Sequence, residues 1–224
     1  MASESPFETL MKGRGRHEGA IIPMTMTKIF LVNVDEIADE AASSLSAERR
    51  RKAERCLFEK DRLLSLAAGF ALDKGLQGFG LREKEAETAY GEHGKPYLKG
   101  HPEIHFSLSH SEKLALACFD EKEVGCDLEA LRPCKESIVA SCFSEEEKRY
   151  VESSPNKDEA FTRVWTCKES FLKAIGVGIS APLPSFSAFP KGNRVALIQS
   201  LDSREWEIEE RREGPYFIAI CHQK

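Results

Sequence analysis

From Ile104 to Glu129 the sequence sets three short apolar-rich runs almost end to end: IHFSLSHS, LALACFD and VGCDLE. Only two and three residues separate them (Glu112–Lys113 and Glu121–Glu123), which is turn length, and each run is strand length. They read as three strands paired in a meander, so the middle of the chain must hold a small antiparallel sheet.

The flanking sequence changes period on both sides. Lys28 to Val34 is rich in β-branched and large apolar residues and suits a buried strand, with a loop or short helix in the acidic stretch after it. Ser46 then stands as an N-cap and Glu48 in a first turn. Recurring apolar positions to about Gln77 predict one long helix or two in succession. GEHGKPYLKG, residues 91–100, reads as a loop because three glycines and a proline interrupt any regular pattern. Helices are predicted at about 134–141, 144–153 and 158–175, with Ser144 capping the second, and short strands at 185–189, 194–199, 205–210 and 216–221. This is an α+β plan: a leader over 1–26, an N-terminal half over 27–121 and a C-terminal half over 122–224, with no clear sequence repeat between the halves.

Composition removes several function classes. With 41% hydrophobic and 31% charged residues among 224, the chain can offset its ordering entropy and fold. No apolar run approaches the roughly 20 residues that cross a bilayer, and a formal charge of -5 gives no general affinity for nucleic acid or acidic lipid. The seven cysteines are scattered without a C-x-x-C pair, which argues against a zinc knuckle or a disulfide framework and for a reducing cytoplasm.

The chemistry-bearing residues are acidic. Strand alternation points Asp127 and Glu129 to one face, where two converging carboxylates repel unless a cation or proton lies between them. Alone, such a pair equally fits a solvated hairpin edge. In WTCKESFLKAIG, Trp165, Glu169 and Lys173 fall on one helical stripe with Lys168 beside Glu169, which taken alone also fits a surface Glu–Lys pair. Together the three carboxylates supply the oxygen donors that Mg²⁺ prefers, and the lysines can neutralise phosphate oxygens. Arg49, Lys52 and Arg62 on the basic first helix, Lys95 in GKPYL, and Ser109 and His110 in FSLSHS are further candidates for an anionic ligand. Neither a P-loop nor a G-x-G-x-x-G turn is present.

The ordered series GKPYL, FSLSHS, VGCDLE, FSEEE and WTCKESFLKAIGVGIS, over about 95–180, resembles the surfactin-type 4'-phosphopantetheinyl transferases. The resemblance implies two similar α+β halves related by a pseudo-twofold axis, with coenzyme A and Mg²⁺ between them. It implies transfer of the phosphopantetheine arm to a serine of an apo acyl, polyketide or peptidyl carrier protein, releasing adenosine 3',5'-bisphosphate, by a monomer. Carried over by position, Asp127, Glu129 and Glu169 would bind Mg²⁺, Lys173 would assist the leaving group, and Lys95 and Lys168 would hold phosphate oxygens. Ser109 and His110 would touch coenzyme A phosphates, and Glu169, a bound water or Glu147 would serve as base. The chain departs from the pattern at Leu64, where relatives often carry Arg, so Arg49, Lys52 and Arg62 are the candidates for the 3'-phosphate. Carrier docking is expected on exposed apolar residues around Cys142 to Val151. The same residues also suit a metal-dependent phosphoester hydrolase or a non-catalytic coenzyme A or carrier-binding module.

Overall fold

Strand β1 (Lys28–Asn33) opens the chain in a computed structural model that describes residues 27–37 and 39–224; the leader expected over 1–26 lies outside the described residues. Two helices follow, α1 (Ala47–Glu54) and α2 (Glu59–Leu76), so the predicted helical stretch breaks at residues 55–58. Ser46 caps α1 as its side chain accepts the N–H of Arg49 at 3.1 Å. Part of the predicted 91–100 loop is instead a hairpin, β2 (Thr88–Tyr90) with β3 (Pro96–Leu98). Its five-residue turn closes where the Gly91 N–H donates to the Lys95 carbonyl at 2.9 Å, so the glycines shape the turn without preventing the strand.

The predicted β4–β5 hairpin (His105–Ser111, Leu114–Asp120) is present, but the three-strand meander is not. β1 occupies the other edge of β5, giving the order β1-β5-β4, so β5 has no edge left to offer. Strand β6 (Val124–Ala130) leaves for a second sheet. There it pairs with β10 (Tyr216–Gln223), which pairs with β9 (Trp206–Glu213), in the order β6-β10-β9.

Between β6 and β9 lie α3 (Glu136–Cys142), α4 (Glu145–Ser153), α5 (Lys157–Ile175) and a separate hairpin, β7 (Ser187–Lys191) with β8 (Arg194–Ile198). The fold is α+β. The two three-stranded sheets share one connectivity, strand-helix-strand-strand with the last strand in the middle: β1-α2-β4-β5 and β6-α5-β9-β10. Ala67, Ala71, Leu72 and Leu76 of α2 pack on the first sheet with Phe106 and Phe119. Cys167, Phe171 and Leu172 of α5 pack on the second with Ile208, Ala219 and Cys221. Leu116 and Cys118 of β5 meet Cys126, Leu128, Ile218 and Ile220 between the sheets.

One close approach fixes the active strand. A Cβ at Gly125 would lie 2.2 Å from both Ser170 O and Ala174 N, so only glycine lets the β6 backbone touch α5 there. Asp127 sits two residues beyond it. No helix among the described residues is long and apolar enough to cross a membrane.

Candidate active site

Side chains rather than backbone join the two sheets. Ser107, Ser109 and Ser111 alternate along β4 and so share one side of it. Their hydroxyls accept the N–H groups of Cys126 (3.1 Å), Leu128 (3.2 Å) and Ala130 (3.1 Å) in turn. Each hydroxyl keeps its own proton to donate. Ser109 gives its proton to Asp127 Oδ1 at 2.8 Å, and Ser111 faces Glu129 Oε2 at 3.4 Å.

Asp127 is 4% exposed, and Lys173 Nζ lies 2.6 Å from its Oδ1 and 3.0 Å from Ser109 Oγ. Burial is the largest influence on Lys173 and lowers its pKa, but its neighbours together, Asp127 first among them and then Cys126 and Glu169, outweigh it and the ammonium ends above its ordinary value. Two further carboxylates feel the same charge. Burial first, and then Asp127, pushes Glu129 up to about 7, and the same two causes raise Glu169. Arg132 stands beside them, with its guanidinium 3.2 Å from Glu129 Oε1 and over the rings of Trp165 (5.3 Å) and Phe161 (5.5 Å).

This wall carries more negative charge than its two cations hold comfortably. Asp127 Oδ2 is buried with no hydrogen-bond partner among the described residues, an orphan acceptor. Hard oxygen donors with an unused buried lone pair suit a cation such as Mg²⁺. Among the described residues no three acidic, histidine or cysteine side chains are already gathered into a metal cage, and Lys173 holds the other oxygen of Asp127.

A pocket of about 560 Å³ opens on this wall. It is lined by Ser109, Asp127, Glu129 and Lys173, and also by Arg49, Lys52, Ser65 and His110 from the first half. Arg49 is 8% exposed and pairs with Glu83 at 3.6 Å, while Lys52 lies 5.7 Å from the centre of the Tyr90 ring. Partial desolvation and then the neighbouring Arg49 charge lower the pKa of Lys52. Partial desolvation and then Lys173 lower that of His110, which favours a neutral imidazole. Ser65 Oγ is buried in the pocket lining without a partner among the described residues.

Other sequence candidates lie elsewhere. Lys168 is fully buried, with Nζ 2.9 Å from both oxygens of Glu147 and 2.7 Å from the Phe186 carbonyl, so it cannot hold a ligand phosphate. One residue of helix turns it about 100° away from Glu169. Glu147 is sealed with it: its carboxylate also takes the N–H groups of Ser144 and Ala188, which removes it as a base. Arg62 is bound to Glu59 on its own helix, and Arg51 and Arg55 lie exposed outside the pocket lining. Lys95 sits by a smaller cavity of about 190 Å³ that shares Lys173 with the first, and it bonds the Glu123 carboxylate and the Ala174 carbonyl. Of the apolar residues expected at the surface around Cys142 to Val151, Phe143 and Val151 are 0% and 2% exposed, while Cys142 and Tyr150 are partly buried. Ser65, Ser111 and Arg132 belong to the site without having been singled out in the sequence. The Ser-x-Ser-x-Ser alternation of β4 was a legible signal for Ser111, whereas nothing local marks the other two.

The chain is similar to known proteins. The 4'-phosphopantetheinyl transferase superfamily model matches residues 123–221, the span that carries Asp127, Glu129, Glu169 and Lys173. The 4'-phosphopantetheinyl transferase psf-1 of Bacillus pumilus is 31% identical over 210 residues, covering 88% of this chain and 90% of that protein. The ffp transferase of Bacillus subtilis is 33% identical over 68% of this chain and 69% of its own length. Another transferase of that organism is 29% identical over 82% of this chain and 84% of its own. The chain belongs to the 4'-phosphopantetheinyl transferase superfamily.

Proposed function

We propose that this chain moves the 4'-phosphopantetheine arm of coenzyme A onto a serine of an apo carrier protein. The observation that carries the reading is the Asp127–Lys173 pair on the wall of a pocket that also holds Arg49, Lys52 and His110. In the reaction the serine oxygen forms a bond to the β-phosphorus of coenzyme A, the bond from that phosphorus to the bridging oxygen breaks, and adenosine 3',5'-bisphosphate leaves.

Mg²⁺, when held by Asp127, Glu129 and Glu169, would polarise the pyrophosphate oxygens. Lys173 stays protonated beside Asp127 and supplies positive charge to the leaving phosphate. Arg49, Lys52 and His110 receive the phosphate at the adenosine end, and with Glu147 sealed away the serine proton goes to Glu169 or to a bound water. The two halves, 27–121 and 122–224, act as the two walls of this cleft. We place the protein in a reducing cytoplasm as a monomer, in keeping with seven free cysteines and a site assembled within one chain.

The test is intact-mass analysis of a panel of apo carrier proteins incubated with the chain, coenzyme A and Mg²⁺. A carrier heavier by one arm supports the reading. Bisphosphate released without any carrier present would make the chain a phosphoester hydrolase instead.

A further inference from the structure

We propose that the elbow between α1 and α2 is a docking surface for the carrier protein, which meets it with an acidic surface bearing apolar side chains. This rests on the transferase reading above. Leu57 is 92% exposed and Phe58 69%, the two most exposed large apolar side chains among the described residues, and they are adjacent. Phe58 also occupies the N-cap of α2 and makes no side-chain cap bond, where Ser, Thr, Asp or Asn would stabilise the helix. A local rule broken with no gain to the fold points to a demand from outside it.

Charge defines the occupant. Residues 47–55 carry five cations (Arg49, Arg50, Arg51, Lys52, Arg55) against two carboxylates (Glu48, Glu54), a net of +3 in a chain of net -5. The cations divide by helical stripe. Arg49 and Lys52, with Cys56, line the pocket; Arg51 and Arg55, one turn apart, are exposed on another face and are in no ion pair among the described residues. A basic rim around an apolar pair fits an acidic protein surface.

Position supplies the third argument. Cys56 and Asp61, on either side of the elbow, line the pocket, so Leu57 and Phe58 stand at its rim. Lys60 bonds Glu112 at 2.8 Å, which ties the start of α2 to the β4–β5 turn. That turn follows Ser111, whose hydroxyl accepts the Ala130 N–H, so the elbow lies at the same end of the sheets as Glu129. A carrier seated there presents its serine at the carboxylate end of the pocket. At the surface expected around Cys142 to Val151, Phe143 and Val151 are buried, so neither is offered to an apolar partner there.

The experiment compares wild type with L57S/F58S and with R51E/R55E, reading KM for an apo carrier and KM for coenzyme A separately. Both variants change exposed side chains, and circular dichroism confirms that they fold. The expected result is a carrier KM raised about tenfold or more in each, with the coenzyme A KM within about twofold of wild type, and a carrier KM that loses its salt dependence in R51E/R55E. An unchanged carrier KM in either variant, or an equal rise in both constants, overturns the docking proposal while leaving the transferase reading intact. A wild-type chain that modifies no carrier overturns both. An elbow that binds a short duplex DNA in place of the carrier overturns the assignment of its partner.

Discussion

Ser109 donates a 2.8 Å hydrogen bond to Asp127 Oδ1 while its oxygen accepts the Leu128 N–H at 3.2 Å, so one hydroxyl both joins the sheets and aims the buried carboxylate. With Lys173 also donating to it, the hydroxyl is fully used and is a positioning group rather than an obvious phosphate contact. Ser109→Ala is expected to lower stability by about 1–2 kcal/mol and to reduce kcat more than the coenzyme A KM rises. Denaturant unfolding with steady-state kinetics checks both, and Ser109→Thr should recover part of each.

Lys173 is the direct neutraliser of Asp127. Lys173→Met leaves a 4%-exposed carboxylate short of its cation and is expected to cost about 2–4 kcal/mol of stability, with kcat down by about a hundredfold. Asp127→Asn in the same chain should restore much of the stability and none of the activity. A double variant as unstable as the single one would contradict the pairing.

Lys168 provides the converse case. Because it and Glu147 are both fully buried, Lys168→Met is expected to destabilise the fold by about 3–5 kcal/mol through an uncompensated buried carboxylate. The coenzyme A KM of the remaining folded protein should hold. A raised KM with unchanged stability would restore the ligand role inferred from its neighbour Glu169.

Glu123 is one of the carboxylates expected to make the fold acid-sensitive. Its hydrogen bond to His105, then its bond to Lys95, outweigh burial and lower it to about 2. A depressed carboxylate stabilises the fold above its unfolded value near 4.5, and that contribution is lost as pH falls toward 2. After screening, about 1–2 kcal/mol is expected in that window. Urea midpoints for wild type and Glu123→Gln should differ at pH 6, with the gap narrowing below pH 4.5 and closing only near pH 2. Parallel curves would refute the assignment.

Ser65 tests the far end of the pocket. Its buried hydroxyl has no partner among the described residues, so Ser65→Ala is expected to leave stability unchanged or slightly raised while increasing the coenzyme A KM severalfold. Thermal melts with and without coenzyme A separate the two effects: only the ligand-induced shift should shrink.

Much of this was legible in the chain. Periodicity and caps located the helices, since Ser46 and Ser144 do cap α1 and α4. The D-x-E pair and Lys173 were legible as candidates, and the structure places Asp127, Glu129 and Lys173 along one pocket. Strand partners were not legible: adjacency in sequence suggested that β6 follows β5 in a meander, yet β1, far earlier, holds that edge. The same limit applied to side-chain direction. Lys168 and Glu169 are neighbours in sequence but point into different surroundings, and only the packing of α4 and β7 against α5 shows that Lys168 is sealed inside with Glu147. Exposure at the elbow was equally hidden, because an apolar pair in an amphipathic stretch reads as core until the helix is seen to break there.

The most direct measurement sets wild type beside Asp127→Ala in one assay: intact mass of an apo carrier after incubation with coenzyme A and Mg²⁺, with circular dichroism confirming that both proteins are folded. The account predicts a carrier heavier by one phosphopantetheine arm with wild type and an unmodified carrier with Asp127→Ala. Full modification by the Asp127→Ala protein would contradict it.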